Sequence, residues 1–131
     1  MTKYIWVWLA LILTWATSTI IAIEHIVPTG MDTNEPFRLT VRVPDQADYQ
    51  IKCFYRFNSE EEFRVTNLEK KATRLYQVTL PIDKSINNVD YYFWIYKYNK
   101  FQSTLPEQNP VGQPYSVLNN LSELVYFEIL S

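Results

Sequence analysis

Residues 23–119 predict an all-β sandwich, and three observations carry that prediction. Apolar residues recur at every second position, with no helical stripe. Turn residues interrupt these runs at the spacing of a sandwich. The chain also holds seven Phe and ten Tyr, with one Trp beyond its N-terminal segment, enough large apolar side chains for a core without cross-links. Such a core is needed, because Cys53 is the only cysteine and no intrachain disulfide can form. With two glycines in 131 residues, the turns must rely on Pro, Asn, Asp and Ser.

Each element follows from its own pattern. An early strand is expected around Glu24–Val27. In Phe37–Val43, Phe37, Leu39, Val41 and Val43 alternate with Arg38, Thr40 and Arg42, and Pro44-Asp45 ends the run. Gln50–Phe57 sets Ile51, Cys53, Tyr55 and Phe57 against Gln50, Lys52, Phe54 and Arg56. The acidic turn Asn58-Ser59-Glu60-Glu61-Glu62 leads into a returning strand, Phe63–Leu68. Thr73–Leu80 places Tyr76, Val78 and Leu80 on one face and is closed by Pro81. Asp90–Asn99 is the most aromatic run, with Tyr91, Tyr92, Phe93, Trp94, Ile95, Tyr96 and Tyr98. A proline-rich connection, Leu105 to Pro114, reaches a short strand at Tyr115–Leu118 and brings the count to about seven.

Residues 1–22 have another character. Lys3 precedes the apolar Tyr4–Leu13, followed by Thr14–Thr19 and a second apolar patch at Ile20–Ile23; Trp6, Trp8 and Trp15 all lie here. This order is that of a secretory signal peptide. Tyr4–Ile23 is also long enough, as a hydrophobic helix, to cross a hydrocarbon core of ~30 Å, so a retained signal anchor is the other reading. Both leave Lys3 inside and the domain outside. The expected location is periplasmic, cell-surface or secreted, with membrane contact only through this segment. A net charge of −2 and the lack of a basic run argue against nucleic acid.

An ordered set of positions adds a resemblance: Tyr55-Arg56-Phe57, Phe63-Arg64-Val65, Tyr76-Gln77-Val78-Thr79-Leu80-Pro81 and Val89-Asp90-Tyr91-Tyr92-Phe93. Leu105-Pro106, Asn109-Pro110 and Pro114-Tyr115-Ser116-Val117 continue it. Over roughly Ile26 to Leu118 the chain resembles the immunoglobulin-like, fibronectin-type-III-like modules of bacterial exported and surface proteins. The resemblance implies a module that spaces, docks or adheres, and implies no reaction. Trp94, Tyr96 and Tyr98 depart from it, since those modules more often carry polar residues on the outward face. Beyond Asn119, residues 120–131 contain a strand-like run, Leu124–Leu130, readable as an extra edge strand or as the start of a second module.

Little in the chain suggests catalysis. His25 stands alone beside Glu24, and Cys53 alternates with Ile51 and Tyr55 as a small buried hydrophobe does. Glu60, Glu61 and Glu62 share a turn and lack the opposed placement that paired-carboxylate chemistry requires. Asp32, Asn34 and Glu35 meet no calcium-loop spacing. Asn120-Leu121-Ser122 is a formal glycosylation sequon. No catalytic residue, metal site or cofactor is assigned.

The candidate site is a surface. With Tyr91, Phe93 and Ile95 inward, Tyr92, Trp94 and Tyr96 point outward, with Tyr98 beyond them. With Ile51, Cys53 and Tyr55 inward, Lys52, Phe54 and Arg56 point outward on what the resemblance makes a neighbouring strand. Aromatic rings interleaved with cations fit a protein partner or a neighbouring domain; the alternative is a carbohydrate-binding module that stacks a glycan on Trp94, Tyr92 and Tyr96, or an accessory domain of an exported glycan-active enzyme. Ordinary cross-strand stabilisation of the sheet, at roughly 0.2–1 kcal/mol per pair, is the simpler explanation such a face must exceed.

Overall fold

The structure, a computed structural model, describes residues 22–120. Eight strands are present: β1 Phe37–Arg42, β2 Tyr49–Phe57, β3 Arg64–Asn67, β4 Glu69–Ala72, β5 Leu75–Leu80, β6 Asn88–Lys97, β7 Lys100–Leu105 and β8 Tyr115–Leu118. They form two antiparallel sheets, consistent with a β-sandwich. One has the order β1-β5-β4; the other has β3-β2-β6-β7, with β8 also paired to β6. β2 follows β6 from Tyr49↔Lys97 to Phe57↔Val89. The far side of β6 is divided, β7 taking Phe93 to Lys97 and β8 taking Asn88 to Tyr91.

The core is the sum of the alternating inward positions. Leu39, Val41, Tyr76 and Leu80 from the first sheet meet Ile51, Cys53, Tyr91, Phe93, Ile95 and Val117 from the second. Met31 plugs one end, where its N–H donates to Leu118 O at 3.1 Å. The turns show how a glycine-poor chain copes. Asn58 and Ser59 (φ 51° and 59°) close β2–β3, Arg74 (φ 63°) lies between β4 and β5, and Tyr98 and Asn99 (φ 49° and 62°) close β6–β7. Two consecutive left-handed residues match the right-handed twist of a tight hairpin.

Three expectations change. The early strand at Glu24–Val27 reduces to one bridge, Glu24↔Arg42. The run from Thr73 starts as a strand only at Leu75 and is preceded by β4. β7 lies in a stretch to which the sequence assigned no strand. The N-terminal apolar segment and the Leu124–Leu130 run lie outside the described residues. Among the described residues, no helix is long and apolar enough to cross a membrane.

Candidate functional site

The β2–β6 register brings the six predicted residues onto one face. Arg56 pairs with Asp90, Phe54 with Tyr92, Lys52 with Trp94 and Gln50 with Tyr96. The intervening pairs, Tyr55↔Tyr91, Cys53↔Phe93 and Ile51↔Ile95, point to the opposite side, where all but the half-buried Tyr55 are buried. Strand alternation alone produces this division.

The face has a closed half and an open half. In the closed half, Phe54 and Tyr92 stack with centroids 4.8 Å apart and planes 5° apart, and Phe63 meets Tyr92 edge-on at 5.0 Å. Tyr92 is therefore only 5% exposed, and burial raises its hydroxyl above its ordinary pKa. The expectation of a freely outward Tyr92 is corrected on this point: it faces outward but is roofed by its neighbours. Arg56 closes the same end, its Nε–H donating to Asp90 Oδ2 at 3.0 Å while its guanidinium lies 4.5 Å from the Phe63 ring centre. Asp90 is itself buried at 8% exposure, so this ion pair is partly desolvated.

In the open half, Phe101 of β7 is 55% exposed and touches two rings edge-to-face, Trp94 at 6.2 Å and Tyr96 at 5.8 Å. Lys52 Nζ lies 5.5 Å from the Tyr96 ring centre, and Lys52 has no carboxylate partner among the described residues. Trp94 also leans on Phe54 at 4.8 Å, joining the two halves. Val65, opposite Phe54 on β3, adds exposed apolar surface at the far edge. Sequence reasoning missed Phe63 and Phe101. Phe63 precedes β3 and acts from a loop, while Phe101 sits among Lys, Gln, Ser and Thr with no apolar alternation. Asn99, two residues before Phe101, was the one turn-forming residue at this hairpin, and Tyr98 beside it gives no such signal although both are left-handed.

Three of the other polar candidates, His25, Glu60 and Asp32, have structural partners. His25 hydrogen-bonds Thr40 O through Nδ1 at 2.7 Å and Tyr91 Oη through Nε2 at 2.6 Å. Glu60 pairs with Arg64 at 3.2 Å, and Asp32 closes a turn by accepting the Asn34 N–H at 2.9 Å. Among the described residues no group of three His, Cys, Asp or Glu is placed to hold a metal ion. Asn120 is described, but the remainder of its sequon is not.

Cys53 is fully buried, and burial pushes its thiol up to about 12. A thiol so placed is about one part in ten thousand thiolate at pH 8. Iodoacetamide is therefore expected to leave the folded chain unlabelled over hours at pH 8 and to label it fully in denaturant. Labelling without denaturant would mean that the sheets open locally around β2.

A scan against protein-family models finds no match for this chain, and a search of curated proteins finds no similar sequence.

Proposed function

We propose that this chain is a non-catalytic, exported, immunoglobulin-like module that docks a protein partner or a neighbouring domain through the open half of its aromatic face. The connectivity supports the type. The Glu24 segment borders β1, giving the order segment-β1-β5-β4 in one sheet, while β2 and β6 are central in the other and β7 and β8 share one position beside β6. This order parallels that of an immunoglobulin constant-type sandwich, with β3 as an addition, and supports the reading. The N-terminal order of Lys3 and the apolar Tyr4–Leu13 supports export.

One observation carries the docking surface: Phe101 stands exposed with Trp94 and Tyr96 against its sides, and beside them is Lys52, which has no carboxylate partner among the described residues. The closed half is explained by sheet stability, but an exposed Phe101 ring set on the half-buried Trp94 and Tyr96 is not. Clustered Trp and Tyr rings are the composition of protein-binding hot spots. A sugar-stacking platform needs a flat open ring face. Here Phe101 stands at 79° to Trp94 and 78° to Tyr96, which breaks any such platform.

The reading is tested by photo-crosslinking from position 104, which faces the same side as Trp94, in cells expressing the full chain. Trp94→Ala and Phe101→Ala are each expected to reduce specific protein adducts by about tenfold or more while the domain stays folded, its melting temperature falling by less than about 15 °C. Unchanged adducts would overturn the surface. Glycan-array binding abolished by Trp94→Ala would replace the protein reading with a sugar-binding one.

A further inference from the structure

The other sheet has an edge that its own chain begins to cover and then abandons. Arg42 and Glu24 exchange both main-chain hydrogen bonds, each 2.9 Å long. Such doubly bonded positions recur at every second residue of an antiparallel strand. Arg38, Thr40 and Arg42 therefore turn their main-chain groups away from β5, while Phe37, Leu39 and Val41 turn theirs toward it. The Val43 N–H bond to Arg74 O, 2.9 Å, has the same phase.

Continued by two residues, that ladder would set Ile26 opposite Thr40, and by four it would set Pro28 opposite Arg38. It stops after one bridge. Pro28 has no N–H to give Arg38, and the His25 ring takes the Thr40 carbonyl in place of a main-chain donor. Ile26 is left 89% exposed. A cleft of about 340 Å³ is lined by Glu24, Ile26, Thr40, Arg42 and Leu75, and one of about 240 Å³ by residues that include Pro28, Asp32, Glu35, Phe37 and Arg38. The Thr40 N–H and both main-chain groups of Arg38 have no hydrogen-bond partner among the described residues.

We propose that the β1 edge at Arg38–Thr40 is a strand-addition site for an extended acidic segment of a partner polypeptide. Three main-chain groups at strand spacing are what an incoming strand recognises, and side chains opposite them supply the selectivity. Arg38 is exposed on the side of β1 away from the core and is in no ion pair among the described residues, whereas Arg42 on that side already faces Glu24 across the bridge. A residue entering opposite Arg38 lies on that same side, where a carboxylate is favoured and a cation disfavoured. This site belongs to the opposite sheet from the aromatic face and does not depend on it.

The probe is the capped peptide TEVEVET, titrated into the full chain while amide hydrogen exchange is followed residue by residue. Exchange at Arg38 and Thr40 is expected to slow by about tenfold or more at millimolar probe, with the β4 edge unchanged. The same peptide with lysine for glutamate should have no effect. Arg38→Pro removes an N–H that β5 does not use, so it should abolish protection at Thr40 and leave the fold intact. Arg38→Glu should weaken binding by about tenfold with the main chain untouched. Unslowed exchange at Arg38 and Thr40, equal binding of the lysine peptide, or full binding by Arg38→Glu would each overturn the proposal. Should Arg38→Pro fail to fold, the exchange data and Arg38→Glu still decide it.

Discussion

Phe93→Ala is expected to lower the free energy of unfolding by about 3–5 kcal/mol, the range for removing a buried phenyl ring from a packed core. Phe93 is fully buried at the centre of the second sheet, between Cys53 on β2 and Leu105 on β7. Its ring also packs against Tyr91 at 5.5 Å and His25 at 4.9 Å, so it touches both layers. A domain of this size has only about 5–15 kcal/mol in total, and the lone Cys53 offers no disulfide to offset the loss. Urea titrations measure the effect. The informative control is the next residue, Trp94→Ala, on the opposite face, where a loss under about 2 kcal/mol is expected because the ring is only half-buried. Equal losses would mean that the outer face is packed like a core and is unavailable for docking.

That contrast marks where the sequence is informative. β1, β2 and β6 alternate because one side of each meets the core, and burial leaves a period of two in the residue types. β4 leaves no such trace: Glu69, Lys70, Lys71 and Ala72 are all exposed, and the strand is held by its pairing to β5. β7 is likewise held through the main chain to β6. The same limit applies at the site. Alternation puts Trp94 and Tyr92 on one face, but Tyr92 is roofed by Phe63, whose position depends on the path of a loop and not on strand period. The first strand fails for a local reason: the His25 ring takes the Thr40 carbonyl where the next rung would form, and Pro28 has no N–H for the rung after it.

Acidification is expected to destabilise this domain through His25. Its ring links the two layers, with one nitrogen on Thr40 O of β1 and the other on the Tyr91 hydroxyl of β6. A carbonyl only accepts, so Nδ1 carries the proton and Nε2 accepts from Tyr91 Oη–H in the neutral ring. Protonating Nε2 reverses that bond and leaves the Tyr91 hydroxyl proton without an acceptor. The rings packed on His25 are Tyr91, Phe93 and Tyr115, and none carries a compensating negative charge. Burial accordingly lowers the His25 pKa from 6.5, a shift opposed by the bond to Thr40. A lowered folded pKa means that the unfolded chain binds the proton more readily. The His25 contribution is thus fully present above about pH 6.5 and is lost as pH falls through the folded pKa. Urea midpoints at pH 7.5 and pH 5 should show a larger drop for the natural chain than for His25→Gln. Tyr91→Phe should cost about 1–3 kcal/mol at pH 7.5 by leaving Nε2 without its donor. If His25→Gln shows the same acid sensitivity, the sensitivity arises elsewhere and the His25 bridge contributes no proton linkage to stability.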